Sequence, residues 1–256
     1  MLFLTFRPIT RGRIRRSRVI FLGLSSAALA LYGWLTVAYA FPGDSATWIA
    51  WAAGLDVREV PTHPLLMALG QWAAGLPFSS LAVRLNLLAA GAGALAVGWA
   101  YKVVWFLIFE MMREESAVIH ASRNARFGGF VAALAVALSL PVCQAATRFR
   151  PEMFDVAYLL ACAHLLTVYA RSQQTAWLLL FGALYGAGVA ESPLLVVAAP
   201  VMAAFAVVVE WKLSWCRVAR LFAAAWLSLA ALCGTHYWAA RAFLTQDGSA
   251  AAWRDV

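Results

Sequence analysis

Residues 41–88 read FPGDSATWIAWAAGLDVREVPTHPLLMALGQWAAGLPFSSLAVRLNLL. This polar, proline-punctuated stretch is wedged between two long apolar runs, at about residues 19–40 and 81–106. Two membrane spans that need only be joined require a short turn. Roughly forty residues stand here instead, with Asp44 just past the first run, His63 between two prolines, and several tryptophans. A segment of that length and chemistry implies a built structure at the membrane surface, and it is where chemistry is to be sought.

Working outward, the rest of the chain is apolar to a degree that excludes an ordinary soluble domain. Hydrophobic residues make up 64% of it and charged residues 12%. Apolar runs recur at the length a helix needs to cross a hydrocarbon core of about 30 Å. Backbone amides inside lipid must be paired within their own segment, so the runs are read as helices. Seven spans are predicted, at about 19–40, 81–106, 127–146, 153–170, 175–191, 193–211 and 218–240. The expected class is an all-α polytopic membrane protein, one transmembrane domain over residues 1–256. Residues 1–18 form its basic flank and 41–80 its first outer loop.

The net charge of +8 is distributed like a topology signal, which argues against nucleic acid as a partner. Arg7, Arg11, Arg13, Arg15, Arg16 and Arg18 all precede the first span, as expected of a cytoplasmic flank in contact with anionic headgroups. With the N-terminus inside, the inner segments hold 13 Lys and Arg against six outside. Ala38-Tyr39-Ala40 resembles a signal-peptidase site, but the apolar run before it is longer than a cleaved signal uses, so an uncleaved first span is expected.

Small residues should carry the packing: Gly91, Gly93 and Gly98 in the second span, Gly182 and Gly186 in the fifth. Pro141 and Pro200 should kink their helices, and Pro193 suits a first helical turn. The cysteines, Cys143, Cys162, Cys216 and Cys233, contain no C-x-x-C pair and suggest neither a metal site nor a disulfide framework.

Within the outer loop, Trp48, Trp51, Ala52 and Leu55 follow helical spacing and predict an interfacial helix with one apolar stripe. Residues 65–76 predict a second. Asp44 is read in two ways, as an N-cap of the first helix or as a general base at the membrane surface. His63 is a proton carrier or hydrogen-bond donor, or an ordinary loop histidine. Arg148 and Arg150, beside Glu152 and Asp155, suit either a lipid phosphate or local ion pairing. Glu191 is a carboxylate at a tight outer turn, a site residue or a cap. His164 lies mid-membrane, where an ionisable group faces the bundle interior. His236 and Tyr237 are candidates for lining the same cavity. All but His164 fall on the outer side under one topology.

The same residues carry a resemblance. Asp44-Ser45, then Pro61-Thr62-His63-Pro64-Leu65, then Arg84-Leu85-Asn86-Leu87-Leu88 resemble bacterial multi-pass proteins related to the transmembrane-protein-260-like O-mannosyltransferases. Their first outer loop reads D-S-G-E, then H-P-P-G-Y-P-L-Y, then R-x-N-L-L-S. Gln144-Ala145-Ala146 with Pro151-Glu152-Met153-Phe154, and the segment at 186–190, resemble later motifs of that family. Thr47 stands where the family has a second carboxylate, and Glu191 where it has a histidine.

The resemblance implies the GT-C glycosyltransferase fold and a polyprenyl-phosphate sugar donor. It implies inverting transfer to a protein or glycan hydroxyl at the outer face of a bacterial inner membrane, with no cofactor and no metal. It gives Asp44 the role of base and has the arginines near Glu152, Arg148 and Arg150, hold the leaving lipid phosphate. His63 is taken as the second catalytic candidate, and Glu152 and Glu191 complete the substrate- and lipid-phosphate-binding set. A membrane subunit of the same scaffold that binds a lipid carrier without turnover is the alternative.

Overall fold

The computed structural model describes residues 11–40, 43–55, 63–112, 118–209 and 215–254. Arg7, Arg58, Pro61, Thr62 and Lys212, used in the sequence reading, lie outside them. Every regular element among the described residues is a helix.

α4 (Leu81–Met112) is the axis of the bundle. It packs against α1 (Arg11–Leu35), α5 (Val118–Leu138) and α7 (Pro151–Ser172). Its most apolar stretch is 67% buried inside the protein, against 17% for α1, so α4 is core and α1 faces outward. Small residues make the central position possible: a Cβ added at Gly98 would lie 2.2 Å from the Ser25 hydroxyl of α1. Tyr32, Tyr101, Trp105, Phe106 and Phe109 fill the space around it. Gly91, expected to act in the same way, has nothing within 4 Å of its would-be Cβ and serves no contact.

Each of the seven predicted stretches overlaps a helix, although residues 36–40 lie beyond the end of α1 and residues 210–211 lie outside the described ones. By length and composition, residues 16–35, α4 and α7 suffice to cross a membrane. α5 continues into α6 (Leu140–Ala146) through a 64° bend at Ser139, with Pro141 in the first turn of α6, and the bent pair makes a possible fourth crossing. α8 (Thr175–Glu191) and α9 (Pro193–Val209) are apolar but 17 residues each, about 26 Å long. α10 (Trp215–Arg254) runs through the predicted seventh stretch. The protein is therefore an integral membrane protein whose described residues are all-helical, with three to four candidate membrane-crossing helices among them by length and composition.

α8 and α10 meet as the glycines predicted. A Cβ at Gly186 would sit 1.9 Å from the Ser228 carbonyl oxygen, and one at Gly182 would sit 2.4 Å from that of Ala224. Tyrosine hydroxyls tie the neighbouring layer together. Tyr158 donates to the Leu184 carbonyl at 2.8 Å and Tyr185 to that of Leu195. Pro193 opens α9, as expected; α9 continues through Pro200.

The described residues between the first two predicted spans form two short helices, α2 (Asp44–Ala53) and α3 (Pro64–Ala74). They share a small core of Ile49, Ala52, Leu66, Met67 and Ala73 with Leu85 of α4 and Phe149 of the turn after α6. The stripe expected on α2 is rotated from its predicted face. Ser45, Ile49 and Ala52 are its buried positions, Trp48 and Trp51 flank them, and Leu55 is exposed. Packing against α3 and α4 thus claims the face that spacing alone assigned to the interface.

Candidate functional site

Asp44 is the first residue of α2, and Gly43 is its N-cap, with φ 92° and ψ −146°. No side chain caps the helix, which corrects the expectation that Asp44 does so. Freed from that task, the carboxylate reaches across the site. Its Oδ2 accepts a 2.5 Å hydrogen bond from Nη2 of Arg150. Nε of the same guanidinium lies 3.6 Å from Oε1 of Glu152. One cation therefore stands between two carboxylates. The Asp44 side chain remains 71% exposed, Glu152 54% and Arg150 31%, so all three stay accessible to a ligand.

The position of Arg150 is set one residue earlier. The Phe149 amide donates to Oδ1 of Asn86 at 2.8 Å, and Nδ2 of Asn86 donates to the Val37 carbonyl at 3.1 Å. Asn86 is fully buried, and it ties the end of α1 to the turn that carries Arg150. Two residues before it, Arg84 donates Nη1 to the carbonyls of Ala74, at 2.5 Å, and Leu76, at the end of α3. The Arg-Leu-Asn run is a clamp. These clamping roles were not foreseen, and the one signal for them was the resemblance of that run to a family motif.

His63 precedes Pro64 in a left-handed conformation, φ 52° and ψ 56°. Such a backbone costs about 1–3 kcal/mol and persists only where its surroundings hold it. Two contacts do so. The imidazole stacks on Trp48, with ring centroids 5.2 Å apart and planes 15° from parallel. Glu191, at the end of α8 and buried, accepts the backbone amides of Leu65 and Leu66, both at 2.8 Å. A carboxylate on the amides of a helix's first turn also meets the positive end of its dipole. Trp48 lies one turn of α2 beyond Asp44, on the same side of the helix.

Asp44, Arg150 and Glu152 thus form one cluster, and His63 and Glu191 gather around the start of α3. Arg148 sits in the same turn as Arg150 and is half-buried. Asp155 lies one turn into α7 beside Ser192. Ser45, next to Asp44, has a buried hydroxyl with no hydrogen-bond partner among the described residues. His164 lies within α7 with the Thr167 hydroxyl of the same helix 3.4 Å from its Nδ1. His236 and Tyr237 are exposed on α10.

Chemically, the exposed cluster offers a carboxylate that can take a proton and a guanidinium whose fork can change partners. A phosphate is the natural competitor for that fork.

Residues 44–215 match the family described as the protein O-mannosyl-transferase TMEM260 N-terminal domain. No curated protein and no solved structure is similar enough to the chain to match it. The match begins at Asp44 itself and takes in α2 through α9, so the whole Asp44–Arg150–Glu152 cluster lies within it. The chain belongs to the family of the TMEM260 protein O-mannosyl-transferase N-terminal domain.

Proposed function

We propose that the protein is a membrane glycosyltransferase that moves a hexose, mannose by the name of its family, from a polyprenyl-phosphate carrier to an acceptor hydroxyl on a protein or glycan. The observation that carries this reading is Arg150 held between Asp44 and Glu152 at an exposed outer surface. The acceptor hydroxyl gives its proton to the Asp44 carboxylate while its oxygen bonds to the anomeric carbon. The bond from that carbon to the phosphate oxygen breaks on the opposite face, so configuration inverts and polyprenyl phosphate leaves. Arg150, with Arg148 in the same turn, holds the leaving phosphate.

Before the donor binds, Asp44 is paired with Arg150. A phosphate that recruits the guanidinium frees Oδ2 for the acceptor, so donor binding precedes activation of the base. His63, its ring set by Trp48, supplies a hydrogen bond beside the reacting groups. Glu191 is assigned the positioning of α3 and His63.

In this reading the seven apolar spans, α1, α4, the α5–α6 pair, α7, α8, α9 and α10, form a GT-C-like module. The protein sits in a bacterial inner membrane with its N-terminus cytoplasmic and the Asp44 cluster outside. The charge bias of 13 to six supports that orientation.

The engagement of Asp44 by Arg150 also favours a second reading, a relative that binds the lipid carrier without turnover. Purified protein in liposomes, given polyprenyl-phosphate mannose and a peptide or glycan acceptor, separates the two. Transfer with inverted configuration is expected. Donor retention without transfer to any acceptor would replace the first reading by the second.

A further inference from the structure

At the opposite end of the bundle, α1, α4 and α5 enclose a cavity of about 150 Å3 lined by Arg16, Trp105, Ile119, Ser122 and Arg126. Every polar side chain among the described lining residues can donate a hydrogen bond, and none of these is a carboxylate. Two donors come from the interior: Trp105 and Ser122 are each more than nine-tenths buried. The Trp105 Nε1–H has no partner among the described residues. A buried indole N–H ordinarily finds an acceptor. The ring is already occupied on its face, where the Arg171 guanidinium lies 5.2 Å from the centroid, so an acceptor must approach in the ring plane.

Arg126 is anchored through Nε to the Ser122 carbonyl at 3.1 Å, which leaves its terminal nitrogens available. Ile119, on the rim, is 76% exposed, and Phe127, two turns further along α5, is 72% exposed. The cavity therefore combines two guanidiniums and buried neutral donors with an apolar lip.

We propose that this cavity is a phosphate-binding site, filled by the phosphate of an anionic membrane lipid whose acyl chains lie over Ile119 and Phe127. Arg16 and Arg126 hold the phosphate oxygens, and the Trp105 N–H and Ser122 hydroxyl complete the set. The site lies at the other end of the bundle from Asp44 and does not depend on the proposed transferase activity.

Native mass spectrometry of the full chain in detergent tests it, with phosphatidylglycerol titrated in one arm and inorganic phosphate in the other. A saturable 1:1 adduct with the lipid is expected, weakened about tenfold or more in the Arg16→Gln, Arg126→Gln double variant. Trp105→Phe keeps the ring packed, and should weaken the adduct with the melting temperature unchanged. An equally strong adduct with inorganic phosphate, lost in the same variants, would identify a soluble phosphate as the ligand. No adduct in either arm, or adducts unchanged in both variants, overturns the proposal.

Discussion

The guanidinium of Arg150 and the carboxylate of Asp44, 106 residues apart in sequence, meet at 2.5 Å at the solvent-exposed surface of the protein. With Asp44 71% exposed and Arg150 31%, the pair is worth no more than about 1 kcal/mol to the fold. A short, exposed, long-range ion pair is a poor stability device and a good exchangeable contact. Arg150→Ala should therefore leave the thermal melt nearly unchanged while co-purifying polyprenyl phosphate falls several-fold. Arg150→Lys, which keeps the charge and loses the fork, should fall between the two. Lipid yields that do not follow this order would remove the phosphate assignment.

Glu191→Ala leaves two amides of the α3 first turn without their buried acceptor. Hydrogen bonds to a charged group contribute about 1.5–3 kcal/mol each, less when two share one carboxylate. A loss of about 2–4 kcal/mol is expected. Faster hydrogen exchange should appear first at Leu65 and Leu66, whose amides it accepts. Glu191→Gln keeps an acceptor and should recover part of the protection.

Asn86→Ala removes both halves of the clamp between Val37 and Phe149. The cost expected for the orphaned Phe149 amide is about 1–3 kcal/mol. Because Arg150 follows Phe149, donor binding should weaken in this variant although Asn86 touches no proposed ligand. Normal binding in a destabilised Asn86→Ala protein would separate the clamp from the site.

Two glycines give opposite expectations. Gly186→Ala places a Cβ against the Ser228 carbonyl and forces α8 from α10, a loss of about 1–3 kcal/mol. Gly91→Ala enters open space, and should raise stability by up to about 1 kcal/mol through helix propensity. Melting curves of the two variants in one detergent compare them directly.

The sequence was most legible where a local signal repeats. Apolar runs and prolines placed α3, α7, α8 and α9 within a few residues, and topology gathered Asp44, Arg150 and Glu152 on one side before any contact was known. Less legible were contacts that depend on side chains far apart in sequence. Nothing periodic marks Asn86 as the partner of Phe149 or Glu191 as the acceptor for Leu65, because each bond joins positions more than sixty residues apart. Asp44 looked like a cap by composition, but Gly43, with its positive φ, takes the cap position and releases the carboxylate. The kink expected at Pro141 falls at Ser139, two residues before it. Pro141 has no N–H for the Ala137 carbonyl four residues back, which accepts the Tyr32 hydroxyl instead, and its ring crowds that carbonyl.

The central claim is that Asp44 takes the acceptor's proton. Asp44→Asn keeps the size of the side chain and an oxygen for Arg150, and it removes the base. Mannosyl transfer from a polyprenyl-phosphate donor by the reconstituted variant is the direct measurement, with its melting temperature and donor retention recorded beside it. Transfer reduced by at least about a hundredfold, with a melting temperature within a few degrees of the parent and the donor still bound, is the predicted result. Transfer at the parent's rate by a folded Asp44→Asn protein would contradict it.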